Sequence, residues 1–160
     1  MFEFFDCNLA QLLARAAAPL DDMPVSRLSR MLLEGLGHMH ANGFMHRDVK
    51  PENVLCDACG SILKLADMGL AREVRSAPPY TDYIATRWYR APENVLKSAV
   101  YGTGVDVWAL GCVTVEMMLG HPLLPGSSDM DMLSRMCKVP RTDRVKRVRG
   151  CAESSCAPSR

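Results

Sequence analysis

No run of apolar residues in this sequence approaches the roughly 20 that a helix needs to cross a bilayer, and Asp106 and Glu116 bracket the longest candidate. No membrane span is therefore expected, and the chain reads as soluble or peripheral. The first residues also lack the basic-then-apolar pattern of a secretory segment. The seven cysteines are an odd number, so a disulfide framework is not expected and a reducing intracellular compartment, cytoplasmic or nuclear, is. Internal repeats and low-complexity tracts are absent too, which sets aside a repeat architecture.

An excess of either charge is likewise missing overall, with 19 Lys and Arg against 18 Asp and Glu. That balance hides an asymmetry. Residues 1–137 carry 12 basic and 16 acidic side chains, a net −4, whereas residues 138–160 carry 7 and 2, a net +5. The basic end, rich in Ser, Pro and Arg, has too little apolar surface to offset its ordering entropy, so residues 140–160 read as a disordered tail. Its charges have no aromatic residues between them, which favours a solvated segment over nucleic-acid binding. The CDAC run from Cys56 to Cys59 has metal-ligand spacing. The remaining candidates for a second pair, Cys151 and Cys156, are wrongly spaced, and coincidence is the preferred reading.

What is present is enough for one domain: 160 residues, 48% of them hydrophobic. Val25, Leu28, Leu32, Leu36 and Met39 recur at spacings of three and four, predicting an amphipathic helix that starts near Asp21 or Asp22 and Pro24 and ends at Asn42-Gly43. A shorter helix is predicted over residues 9–17. The runs VLC and ILKL flank the turn-forming DACGS, which predicts a small hairpin. Residues 69–92, polar and proline-containing, read as a long loop. Residues 105–119 are apolar nearly all round and predict a helix buried in mid-domain, with Trp108, Met117 and Met118 in the core. A further helix is predicted over residues 129–137.

Three motifs sit on this frame. HRDVKPENVL, from His46 to Leu55, lies between the long helix and the hairpin and is similar to the catalytic loop of protein kinases. In that pattern Asp48 accepts or orients the proton of the attacking hydroxyl, Lys50 offsets charge on the phosphoryl group, and Asn53 holds Mg²⁺. ADMGLA follows the hairpin, and Asp67 supplies the carboxylate that a hard cation bridging phosphates requires. Met68 stands where phenylalanine is usual, and its reach and flexibility suit the same apolar slot. TRWYRAPE, from Thr86 to Glu93, closes the loop.

With these motifs the chain resembles the eukaryotic Ser/Thr protein kinases of the proline-directed group that includes cyclin-dependent and mitogen-activated kinases. REVRSAPPYTDYIATRWYRAPE and HPLLPGSSDMD resemble the male-germ-cell-associated and intestinal-cell kinase branch. The resemblance covers residues 1–139 and implies a mainly helical fold with small β-hairpins, the large lobe of a protein kinase, incomplete and without its small lobe. It implies ATP and Mg²⁺ as cofactors, proteins bearing Ser or Thr as substrates, and an upstream activating kinase as a further partner. By the same resemblance Phe2 is the gatekeeper, Glu3, Phe4 and Phe5 are the hinge that meets adenine, and Leu55 is the floor of the purine pocket. Asp106 anchors the catalytic-loop backbone, Thr86 bonds near the base, and His46 orients backbone rather than moving protons.

Arg90 is implied to shape a pocket for proline after the phosphoacceptor. Thr81 and Tyr83 of PYTDY are implied to be activating phosphorylation sites that pair with Arg47 and Arg90. No residues match the glycine-rich loop, the phosphate-pairing strand lysine or its helix glutamate, and none is identified as the arginine that pairs with Glu93 in the family. The expectation is a kinase catalytic region with little transfer activity by itself; the alternative is a non-catalytic fragment or binding module.

Overall fold

The computed structural model describes residues 3–16, 18–76 and 86–139. The chain enters through a two-residue strand, β1 (Cys7–Asn8), and turns directly into α1 (Leu9–Arg15). Asn8 makes that turn possible: its side chain accepts from the Gln11 backbone N–H, and the Gln11 side chain accepts from the Asn8 N–H, a reciprocal cap. The helix stops at Arg15, short of the expected residue 17, because Ala16 adopts extended backbone.

The long helix α2 (Asp22–Ala41) follows the expected stripe, with Val25, Leu28, Leu32 and Leu36 buried. It ends where Gly43 takes a φ of 82°, a left-handed turn open to glycine. Beyond it come β2 (Phe44–Met45), a 3₁₀ turn at Pro51–Asn53, β3 (Val54–Cys56) and β4 (Leu63–Leu65). β3 and β4 form the expected hairpin, with Val54 opposite Leu65 and Cys56 opposite Leu63, and β1 adds to its other side to give the order β1-β3-β4. Asp57 shapes the connection by accepting the Ile62 N–H at 2.8 Å. Gly60 is required there: its φ is 65°, and a Cβ would lie 2.8 Å from Leu12 Cδ2.

The segment expected to be a long loop holds more structure than its composition suggests. β5 (Arg72–Glu73) pairs antiparallel with β2, Met45 opposite Arg72, and 3₁₀ turns form at Met68–Leu70 and Arg87–Tyr89. Strands this short arise from pairing with a distant segment, which local sequence does not encode. Thr81 and Tyr83, like Phe2 and the basic tail, lie outside the described residues.

After a short α3 (Pro92–Val95), α4 (Gly104–Leu119) packs on α2, and Ser29 and Thr114 share a hydroxyl contact of 3.0 Å between them. Ala109, Leu110, Val113 and Met117 of α4 join the α2 leucines, Leu9 and Val54 in the core. The helix is nevertheless not enclosed. Val107 is 51% exposed and Met118 45% exposed, so Met118 is not a core residue as expected. Apolar residues all round a helix report the burial it can tolerate, and here only one side meets α2. Trp108 is partly buried against the core. The last element, α5 (Asp129–Lys138), is capped by the Ser128 hydroxyl, which accepts from the Asp131 N–H at 3.2 Å. No helix among the described residues is long and apolar enough to cross a membrane.

Candidate active site

The segment from His46 to Asn53 is folded around buried polar groups. His46 is fully buried and bridges two motifs: its Nδ1 accepts the Asp48 N–H at 3.3 Å, and its Nε2 donates to the Ala66 carbonyl at 3.0 Å. The Ala66 N–H in turn donates to the Asn53 carbonyl at 2.9 Å. Ala66 precedes Asp67, so these bonds hold Asn53 and Asp67 beside each other although 14 residues of chain separate them. His46 thus orients backbone, as expected.

Asp48 is buried, and its Oδ2 receives both the Lys50 ammonium at 2.7 Å and the Asn53 Nδ2 at 2.8 Å. The same Nδ2 donates to the Asp48 carbonyl at 2.9 Å. Two consequences follow. Oδ1 of Asp48 carries no hydrogen bond among the described residues and can accept a proton donor. Both amide hydrogens of Asn53 are also committed, so its Oδ1 is the group left for a cation. Asp67 is exposed, with a left-handed φ of 61° stabilised by its own carboxylate accepting the Gly69 N–H at 3.2 Å. An amide oxygen and an exposed carboxylate are the hard ligands that Mg²⁺ takes when phosphates complete its shell, and this donor set fits the ion. No group of three or more His, Cys, Asp or Glu able to cage a metal occurs among the described residues.

Asp48 lines a cleft with Arg47, Thr86, Tyr89, Arg90 and Asn94. Arg47 also stands over the Tyr101 ring, 5.8 Å from its centroid. Thr86 is exposed at the cleft and, among the described residues, makes no hydrogen bond to Asp48; Lys50 and Asn53 occupy that carboxylate instead. Asp106, 1% exposed and also lining the cleft, accepts the His46 N–H and the Arg47 N–H at 2.8 and 2.7 Å, the anchoring arrangement expected of it.

The residues expected to meet adenine are at the other side. Phe4 is exposed, Glu3 is ion-paired with Lys64, and the Lys64 ammonium stands 5.4 Å from the centroid of the half-buried Phe5 ring. Leu55 is half-buried in β3 opposite Asn8. Met68, expected in an apolar slot, is 48% exposed.

Sequence reasoning missed two members of this region. His40, in the last turn of α2, places its Nε2 2.8 Å from Asp106 Oδ2, and its position six residues before His46 was the available signal. Tyr89 lines the cleft, and its hydroxyl donates to the buried Glu116 Oε2 at 2.8 Å. Burial pushes the Glu116 carboxyl above its ordinary range, partly opposed by that hydrogen bond. Burial and then the bond to Glu116 push the Tyr89 phenol up as well. Nothing local in WYRAPE marks this contact, because Glu116 lies three helical turns along α4.

The family model described as protein kinase domain matches residues 1–156. Cyclin-dependent kinase F-4 of Oryza sativa subsp. japonica is 45% identical over 139 residues, which are 87% of this chain and 30% of that protein. Serine/threonine-protein kinase ICK of Rattus norvegicus and serine/threonine-protein kinase MAK of Homo sapiens are each 45% identical over the same share of this chain and 22% of their own length. The chain thus spans under a third of the curated relatives it matches. With the match extending over most of its length, the chain belongs to the protein kinase domain family.

Proposed function

We propose that these residues form the substrate- and metal-side part of a protein kinase active site, which transfers the γ-phosphoryl group of ATP to a Ser or Thr hydroxyl of a protein. The observation that carries this reading is the division of labour at Asp48, a residue that lines the cleft: one carboxylate oxygen is held by Lys50 and Asn53, while the other carries no hydrogen bond among the described residues. MgATP, when bound, would supply the phosphoryl group and a metal that neutralises phosphate charge.

Asp48 Oδ1 would accept the hydrogen of the substrate hydroxyl, orienting its oxygen for in-line attack and taking the proton as the new bond forms. The Lys50 ammonium, held on Asp48 in the absence of substrate, is near enough to turn toward charge developing on the transferred group. Asn53 Oδ1 and the Asp67 carboxylate would hold the metal, positioned relative to each other through Ala66. Glu3, Phe5 and Leu55, with Phe2 outside the described residues, are proposed to flank adenine. The small-lobe clamp of the family is matched by none of the 160 residues. The non-catalytic alternative gains no support from Lys50 and Asn53 meeting on the buried Asp48 carboxylate.

The finer specificity is also proposed. Arg90 borders the cleft below Asp48 and would shape the pocket for the residue after the phosphoacceptor, so that proline, which has no N–H to satisfy, is accepted there. The test is phosphorylation of a peptide array by the longest protein product that carries these residues. Phosphotransfer should fall about 10²–10⁴-fold in Asp48→Asn, with Ser-Pro and Thr-Pro peptides favoured by the unaltered protein. Equal turnover with and without the Asp48 carboxylate would refute the catalytic reading, and indifference to proline would refute the specificity alone.

A further inference from the structure

The CDAC run has one cysteine that takes no part in the site described above and has an unassigned neighbour. Cys56 lies on β3 directly opposite Cys7 on β1, and their Sγ atoms are 3.3 Å apart in a buried contact. Both are free thiols, and Cys56 Sγ also lies 3.5 Å from the Cys7 carbonyl. We propose that Cys7 and Cys56 are a reversible redox pair, closing to an intramolecular disulfide that staples the strand after the proposed hinge to the strand carrying the proposed purine floor.

Geometry carries the argument. Residues directly opposite on antiparallel strands have Cα atoms about 4.5–5.5 Å apart, inside the range a disulfide spans. The sulfurs need to close by only about 1.3 Å to reach bonding distance near 2.0 Å, a movement within reach of χ1 rotation on two strands already in register. β3 is the central strand of the order β1-β3-β4, and β1 is its edge. Cys7 therefore stands on the outer strand, two residues after Phe5, while Cys56 adjoins Leu55.

The oxidant is a small-molecule disulfide of the glutathione class. The Cys7 thiolate attacks it, one glutathione thiol leaves, and a mixed disulfide forms on Cys7. The Cys56 sulfur then attacks the Cys7 sulfur, expelling the second glutathione thiol. Two S–H bonds and one S–S bond are lost; one protein S–S bond and two small-molecule S–H bonds are gained, and the electrons balance. Burial, with the contact to Cys7 adding to it, pushes the Cys56 thiol up to about 12, so Cys56 acts only in the second step, after the edge-strand Cys7, itself 6% exposed, has reacted. Its closeness to Cys7 compensates there, because a held nucleophile needs no encounter.

Cys59, the other cysteine of CDAC, is exposed, and its thiol donates to the Asp57 carboxylate at 2.8 Å.

The test uses the 160-residue chain, equilibrated in glutathione redox buffers, with free thiols alkylated before digestion with trypsin. Peptides 1–15 and 48–64 should appear covalently joined under oxidising buffers and separate on reduction. Peptide 48–64 contains both Cys56 and Cys59, so the Cys59→Ser variant decides between them. The joined peptides should persist in Cys59→Ser and be lost in Cys7→Ser. Oxidation of Cys59→Ser should also raise the thermal midpoint by roughly 5–15 °C, since the bridge would close a loop across 49 positions. Loss of the joined peptides in Cys59→Ser, a Cys56–Cys59 bridge as the main product, a glutathione adduct as the final state of Cys7, or a bridge formed only after denaturation would each overturn the proposal.

Discussion

The Asp106 carboxylate holds the Arg47 backbone N–H at 2.7 Å, and Arg47 has a left-handed φ of 71° that a side-chain-bearing residue rarely adopts. That conformation costs about 1–2 kcal/mol, and it sits one residue before Asp48. The buried anchor and the strained backbone belong together: Asp106 also takes the His46 N–H and His40 Nε2, so one carboxylate of α4 sets the path of the chain into the base.

Asp106→Ala should therefore damage both stability and turnover. It leaves two backbone donors without their charged acceptor, at about 1–3 kcal/mol each, and removes the restraint on Arg47. Asp106→Asn keeps the shape and one acceptor oxygen, and should lie between. Urea unfolding midpoints for the two variants, compared with the unaltered chain, check the order; equal midpoints for Ala and the unaltered protein would refute it.

How far the sequence carried depends on the range of the forces involved. The helices at Asp22–Ala41 and Gly104–Leu119 were legible within a residue or so, because their apolar spacing and flanking Asn-Gly or Gly residues are local. The hairpin around Asp57 was legible for the same reason. The two-residue strands Phe44–Met45 and Arg72–Glu73 were not, since each exists only by pairing with the other. At the site, Asp48, Lys50, Asn53 and Asp67 could be picked out by motif. The contacts that hold them, His46 to Ala66 and His40 to Asp106, join segments 20 and 66 residues apart. Tyr89 with Glu116 is the same kind of omission: each residue reads as ordinary until the fold brings both into one buried contact.

That buried pair makes stability depend on pH in a definite direction. The Glu116 carboxyl titrates above its ordinary value of 4.5 in the folded chain. The folded state thus keeps this proton to higher pH than the unfolded state does. Its contribution favours folding below about pH 4.5 and is lost as pH rises through the raised folded value. Glu116→Gln should remove this downward slope and be close to neutral in stability at pH 7, because an amide oxygen can still accept from Tyr89. Tyr89→Phe should cost about 1–3 kcal/mol at pH 7, leaving a buried carboxylate without its donor. Denaturant midpoints at a series of pH values between 4 and 8 read both effects. A steeper slope in Glu116→Gln would contradict the assignment.

Phosphorylation of Thr81 and Tyr83 is proposed to switch the site on. Both residues lie outside the described residues, but Arg47 and Arg90 border the Asp48 cleft and supply the charge that a phosphate would meet. Each phosphate adds about −1.5 to −2 charge, enough to draw the intervening segment onto those arginines. Thr81→Ala and Tyr83→Phe should each lower turnover of the longest protein product about tenfold or more, an effect of at least 1.4 kcal/mol on the barrier. Unchanged turnover in both variants, with phosphate shown by mass spectrometry on the unaltered protein, would remove the switch.

The 160 residues assayed alone should transfer phosphate very slowly, although Asp48, Lys50, Asn53 and Asp67, the residues proposed for the chemistry, are all present. Phosphoryl transfer leaves the protein little covalent chemistry to perform, and its catalysis is mostly positioning and charge stabilisation. In the proposed reading these residues supply the metal and substrate sides, while the lysine and backbone loop that hold the β- and γ-phosphates in the family are not assigned to any of them. Removing a single well-placed donor costs about 10²–10³ in rate, and several would be lacking at once. Phe4 and Met68, both exposed, are the apolar groups a covering segment would meet. Supplying the preceding portion of a complete relative, fused in frame ahead of residue 1, should restore Mg-dependent nucleotide binding and raise phosphorylation of a generic basic protein by about 10² or more. The rise should vanish in Asp48→Asn, which separates catalysis by these residues from any contamination. Equal turnover with and without the added segment would show that the described residues clamp nucleotide by some other route, and the proposed division of the site would fail.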